Sequence, residues 1–124
     1  MKSLKSIIAL SGLLMAGCTT RAGSELSDAE VGKLLAQGAM VVDVRTVQEF
    51  NTQHLTNVVN IPLGEVKEKF PGVVTNKSDV VLLHCRSGRR SGTAEKELRA
   101  LGYTNVFNIG SYEKAEKLLR ESGR

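Results

Sequence analysis

From Glu25 onward the chain alternates short apolar runs with segments whose apolar residues recur at helical spacing. "MVVDV" at 40–44 and "DVVLLH" at 79–84 are nearly continuous apolar runs, the pattern of strands buried on both faces. "NVVNIP" at 57–62, stopped by Pro62, and "NVFNIG" at 105–110 read as two further strands. Helical stripes lie between them. Val31, Leu34 and Leu35 follow a capping box at Ser27 and Glu30, with Gly38 as the stop. "TVQEF" repeats the box with Thr46 and Glu49 and starts a short helix, so Glu49 is expected to cap its own helix. Leu63, Val66 and Phe70 mark a third helix. Ala94, Leu98 and Leu101, ended by Gly102, mark a fourth, and Ala115, Leu118 and Leu119 behind a Ser111 cap mark the last. A short extra strand at Glu25-Leu26 is hardly marked. Strands alternating with helices imply βαβ units. The expected fold class is therefore α/β, with a central parallel sheet of four to five strands covered on both faces. In such sheets ligands bind outside the carboxyl ends of the strands.

The N-terminus breaks this pattern. "MKSLKSIIALSGLLMAGCTT" has Lys2 and Lys5 ahead of an apolar stretch from Ser6 to Ala16. That stretch is too short to cross about 30 Å of hydrocarbon, which takes roughly 20 helical residues, and fits a secretory signal peptide over residues 1–17. "LMAGC" resembles a bacterial lipobox, with Met15 where Leu is usual. The resemblance implies cleavage before Cys18, lipid on Cys18, and a polar tether over 18–24 that spans at most about 25 Å before a domain at 25–122. The expectation is an exported chain on the periplasmic or cell-surface side, lipid-anchored to a membrane.

Charge and composition then narrow the chemistry. The 124 residues suffice for one domain, and the formal charge is +4. Cleavage would remove Lys2 and Lys5, leaving +2, so part of the basic character belongs to the leader. No Lys/Arg run or basic-aromatic interleaving points to nucleic acid. The cysteines are Cys18 and Cys85. An oxidising compartment would favour pairing them, but lipid on Cys18 leaves Cys85 as a free thiol, a candidate for reactivity.

Cys85 ends the third strand in "VVLLHCRSGRRSG". Cys85, Arg86, Ser87, Gly88, Arg89 and Arg90 lie between strand and helix. A turn this short directs successive N–H groups inward at a helix N-terminus, an anion nest, and Gly88 can take the positive φ a tight cradle needs. A thiol at the lip of such a nest should ionise readily. His84, one residue earlier on a strand, points the opposite way and is expected to pack rather than act as a base. Asp43 and Arg45 end the neighbouring strand, placed either to orient the loop or to form a structural ion pair.

"HCRSGRRS" resembles the active-site loop of the rhodanese family, the thiosulfate sulfurtransferases. Asp43-Val44-Arg45, Glu49-Phe50, His54-Leu55 and Asn60-Ile61-Pro62 match the family's other signature, and Leu101-Gly102-Tyr103 is similar to the family's tail. The likeness covers about residues 24–122 and is greatest to exported, phage-shock-type single-domain members. Asn57-Val58 stand where the family has Gly-Ala, and Gln53 where a Gly is common, which bears on a turn and a strand start. The resemblance implies a rhodanese-like three-layer α/β/α domain and a Cys85 persulfide. Cys85 would be the nucleophile, Arg86 to Arg90 the loop holding the substrate, and Asp43 and Arg45 supporting residues. The implied donor is thiosulfate or a similar sulfane-sulfur compound and the acceptor a thiol or cyanide, with no metal or organic cofactor and a monomeric chain. Cysteine phosphatases place Arg six residues after Cys. Here that position is Ser91, with Arg90 one place earlier, so the loop is one residue short. The alternatives are a persulfide carrier or thiol-binding module with little turnover and, further off, a phosphatase or arsenate reductase.

Overall fold

The computed structural model describes residues 25–124. The expected signal peptide and tether, with Cys18, lie outside the described residues. The elements run α1 (Asp28–Ala36), β1 (Met40–Asp43), α2 (Val47–Thr52), β2 (Val59–Asn60), a 3₁₀ turn (Leu63–Glu65) leading into α3 (Val66–Val73), β3 (Val81–His84), α4 (Arg89–Ala100), β4 (Val106–Gly110) and α5 (Tyr112–Glu121). The four strands form one parallel sheet in the order β2-β1-β3-β4. Glu25 and Leu26 form no strand, so the described sheet has four strands rather than five.

Alternation along the strands sorts the core into two layers. Val42, Leu83 and Cys85 face one way, against Val66 and Phe70 of α3 and Ala94 and Leu98 of α4. Val41, Leu82 and Ile109 face the other way, against Val31 and Leu35 of α1 and Ala115 and Leu118 of α5. Helices therefore cover both faces. Tyr103 closes the first layer, edge-on to Phe70 at 4.9 Å, with its hydroxyl donating to the Val74 carbonyl at 2.6 Å.

Three expectations change. β2 shrinks to Val59–Asn60, because Asn57 takes φ 59°, a left-handed turn that precedes the strand. Asn is among the few non-Gly residues that enter this region, so the departure from Gly at 57 is accommodated. Leu101 does not share the buried face of Ala94 and Leu98: it is the C-cap of α4 and 36% exposed. α4 begins at Arg89, two residues before the expected start, so Arg89 and Arg90 are helical rather than loop residues.

The strand order fixes where function belongs. From β1 the chain goes to β2 on one side, then crosses to β3 on the other. The connections therefore diverge at the carboxyl ends of β1 and β3, the crevice where open α/β sheets bind ligands. Asp43 ends β1, and Cys85 follows His84 at the end of β3.

Candidate active site

Cys85 continues the β3 alternation, so its side chain enters the α3/α4 layer and has no exposed surface. The next three residues turn back over it. Gly88, at φ 95°, is the N-cap of α4, and its N–H donates to Cys85 Sγ at 3.0 Å. The Ser91 hydroxyl, in the first helical turn, lies 3.4 Å from Sγ. Burial alone pushes the thiol up. The Ser91 hydroxyl and the N–H groups of Ser91, Gly88 and Ser87 outweigh it and bring Cys85 below its ordinary value. The donors come from loop and helix start together, as expected of a nest.

The loop is tied down from three sides. Cys85 N–H donates to the Gly110 carbonyl at 3.3 Å, and Tyr112 N–H donates to the Arg86 carbonyl at 3.2 Å. Asn108, on β4, donates through Nδ2 to the Gly88 carbonyl at 2.9 Å and accepts from Ser91 Oγ at 2.7 Å. Asn108 is not among the residues the sequence marks for the site; its one local signal is an amide within the otherwise apolar strand β4. On the far side, Arg90 forms a two-pronged pair with Glu49 of α2, at 2.8 and 3.1 Å. Glu49 also caps α2 as expected, accepting from Thr46 N–H at 3.0 Å. Arg90 and the Thr46 donors hold its carboxyl at about 2.

The loop arginines thus divide. The Arg90 guanidinium is taken by Glu49. Arg86 and Arg89 are exposed and, among the described residues, have no ion-pair partner. Arg86 borders an open cleft of about 290 Å³ with Gln48, Glu49, Thr52 and Gln53.

Asp43 and Arg45 pair with each other. Arg45 Nε and Nη2 reach the Asp43 carboxylate at 2.7–3.0 Å, and Nη2 also donates to the Gln53 carbonyl at 2.7 Å. The Arg45 guanidinium sits 4.9 Å over the Tyr112 ring. Asn60 Nδ2 donates to the carbonyls of Asp43 and Arg45 at 2.9 and 3.0 Å, fixing the β1 end. This is a buried structural pair beside the loop, with no side-chain contact to Sγ. His84 packs on the opposite face, edge-on to Tyr112 at 5.8 Å. Its burial lowers the imidazole's basicity, and Asp43 Oδ2, 3.8 Å from Nε2, restores only part of it. A fully buried ring, whose burial disfavours its charged form, agrees with packing.

A buried cysteine with a lowered pKa, in a nest at the switch point of a parallel sheet, has the surroundings of a reactive thiol. The rhodanese-like domain model matches residues 27–117, and the chain belongs to that family. It is 42% identical over 69 residues to thiosulfate sulfurtransferase PspE of Escherichia coli K12, covering 56% of this chain and 66% of that one. It is 40% identical over 89 residues to thiosulfate sulfurtransferase 18 of Arabidopsis thaliana, covering 62% and 65%. YrkF of Bacillus subtilis, named as a candidate sulfur carrier, is 36% identical over 69 residues, covering 56% and 36%. The chain spans two thirds or less of the length of these relatives. Among solved structures, an E. coli rhodanese with anions superposes with TM-score 0.59 at 38% identity, covering 61% of this chain and 89% of that one. The human single-domain sulfurtransferase TSTD1 superposes with TM-score 0.62 at 26% identity, covering 75% and 95%. The domain is thus homologous to sulfurtransferases and sulfur carriers.

Proposed function

We propose that the chain moves a sulfane sulfur from thiosulfate or a similar donor to a thiophilic acceptor through a Cys85 persulfide. The observation that carries this reading is the set of neutral donors on Sγ, with Gly88 N–H at 3.0 Å. They favour thiolate, the nucleophilic form. Cys85 thiolate attacks the outer sulfur of thiosulfate, the S–S bond of the donor breaks, and sulfite leaves with its electron pair. Cys85 then carries a persulfide whose outer sulfur holds the charge. The acceptor, cyanide or a thiolate, attacks that outer sulfur, and Cys85 leaves as thiolate. Because Sγ has no exposed surface, the donor reaches it through a local opening of the loop shell. Exposed Arg86 and Arg89 would favour approach of an anion.

The likeness to a candidate sulfur carrier supports the second reading, a persulfide carrier with little turnover on thiosulfate. The phosphatase reading is weaker, because Arg90, already one position early, is held by Glu49. Thiosulfate:cyanide transfer by the wild type and Cys85→Ala tests the mechanism. Wild type should form thiocyanate and gain one sulfur on the Cys85 peptide by mass spectrometry, and Cys85→Ala should do neither. Equal rates in the two would refute it, and a sulfur adduct without turnover would favour the carrier.

We further propose export and lipidation at Cys18, supported by the lipobox-like "LMAGC". A fatty-acid analogue should label the wild type and not Cys18→Ser; label on both would refute the anchor.

A further inference from the structure

Ser91 follows Cys85 by six places, where a phosphatase would carry its arginine, and it has no exposed surface. Its hydroxyl oxygen lies 2.7 Å from Asn108 Oδ1 and 3.4 Å from Cys85 Sγ. The Asn108 amide cannot be turned over: Nδ2 donates to the Gly88 carbonyl at 2.9 Å, and Oδ1 accepts the Gly110 N–H at 2.9 Å. Oδ1 is therefore the acceptor toward Ser91, and the hydroxyl is the donor. A hydroxyl has a single proton to donate, and two acceptors compete for it. While Sγ is neutral, as a thiol or as the inner sulfur of a persulfide, the closer amide oxygen wins. Once Sγ is charged, a charge-assisted bond to sulfur competes.

We propose that Ser91 is a two-position donor, resting on Asn108 while Sγ is neutral and turning to Sγ when charge arrives there. Asn108 is the positioning residue that holds the resting state. The kinetic consequences rest on the sulfur-transfer reading given above. In discharge, the acceptor bonds to the outer sulfur, the S–S bond breaks, and its electron pair passes to Sγ, where Ser91 meets it. In loading, the charge departs from Sγ, so the same bond stabilises only the starting thiolate. Ser91 therefore assists discharge and not the loading attack. The neighbouring charged and titratable groups do not supply this asymmetry. Arg90 of α4 is tied to Glu49 of α2, Asp43 of β1 is tied to Arg45, and His84 faces the Cys85 carbonyl at 3.2 Å, Asp43 at 3.8 Å and the Tyr112 ring. Arg86 of the loop is exposed.

Two measurements on the full-length protein test this, with iodoacetamide alkylation resolved on the Cys85 peptide so that Cys18 does not contribute. Ser91→Ala should raise the pH midpoint of Cys85 alkylation by about one unit, the size expected for loss of one hydrogen bond to a charged group. Ser91→Thr should restore most of it. In single-turnover experiments well above that midpoint, Ser91→Ala should slow thiocyanate release from preloaded persulfide by about tenfold while loading from thiosulfate is not slowed. Asn108→Ala should shift the midpoint in the wild type and by a different amount in Ser91→Ala. An unmoved midpoint in Ser91→Ala, or equal slowing of both half-reactions, would overturn the donor role. Equal Asn108→Ala shifts in the two backgrounds would reduce Asn108 to a loop strut. Failure of the wild type to load sulfur at all would refute the sulfur-transfer reading, and the alkylation midpoints would still decide whether Ser91 answers charge on Sγ.

Discussion

Gly88→Ala would strike the site where backbone and chemistry meet. Gly88 sits at φ 95°, where an L side chain is strained, by about 1–2 kcal/mol. A Cβ there would also lie 3.2 Å from Gly110 Cα and 3.3 Å from Gly110 C, backbone atoms that cannot swing aside. Gly110 cannot retreat freely, since its carbonyl accepts the Cys85 N–H and its own N–H is held by Asn108. Against this, Ala reduces the entropy of the unfolded chain, worth about 0.4–1 kcal/mol. With the clash counted at about 1–2 kcal/mol, the lower part of the overpacking range, the net cost is about 2 kcal/mol, which for a domain of this size lowers Tm by roughly 8–16 °C. The same shift moves the Gly88 N–H from Sγ, so the alkylation midpoint should rise and sulfur transfer fall at least about tenfold, the cost of one charge-assisted donor. Gly32→Ala is the control. Gly32 lies within α1 with open space at its Cβ position, and Ala there should stabilise by up to about 1 kcal/mol. Calorimetry of both variants, with alkylation of Cys85, checks the reasoning. A Gly88→Ala protein with wild-type Tm and wild-type midpoint would refute the cradle as described.

The other expectations concern the groups that frame the loop. Asp43→Asn leaves the buried Arg45 guanidinium without its counter-charge and should cost about 3–5 kcal/mol in urea unfolding; a loss under 1 kcal/mol would mean that the Gln53 carbonyl and the Tyr112 face suffice. Glu49→Gln should cost about 1 kcal/mol at pH 7, a value kept small because both partners are partly exposed. The Glu49 carboxyl is held at about 2, below its ordinary 4.5, so its contribution is complete above pH 4.5 and is lost as pH falls towards 2. The stability gap between wild type and Glu49→Gln should close over that window, and a constant gap would contradict the Arg90 pairing.

The sequence carried the layered architecture because strand burial and helix capping are local. Two continuous apolar runs marked β1 and β3, and Ser27-Glu30 and Thr46-Glu49 marked helix starts that the structure reproduces as capping boxes. Cys85 was legible for the same reason, since a strand end followed by Gly88 and a helix places it without knowledge of any distant contact. What stayed hidden was non-local. Nothing near Arg90 says that its partner is Glu49, 41 residues away, and nothing near Ser91 points to Asn108, 17 residues on. The start of α4 is not legible because Arg-Arg looks like loop charge, whereas as the first helical turn it brings the Ser91 hydroxyl and N–H to the sulfur. The length of β2 is not legible either, because the apolar pattern cannot show that Asn57 turns left-handed.

The division of labour among the loop's positive groups leads to a separable salt response. The thiolate is favoured by hydrogen bonds from Ser91, Gly88 and Ser87, all neutral donors in a buried setting, where added ions screen little. Arg86 and Arg89, which have no ion-pair partner among the described residues, are exposed, and their effect on an incoming dianion such as thiosulfate should fall as the screening length contracts from about 10 Å at 0.1 M salt to about 3 Å at 1 M. Raising salt should therefore reduce kcat/KM for thiosulfate severalfold, chiefly through KM, while leaving the Cys85 alkylation midpoint within about 0.2 units. Arg86→Gln with Arg89→Gln should mimic high salt and flatten the dependence. A midpoint that moved with salt as strongly as kcat/KM would mean that the arginines, rather than the nest, hold the thiolate. The cradle would then owe its reactivity to surface charge instead of to the backbone turn at Gly88.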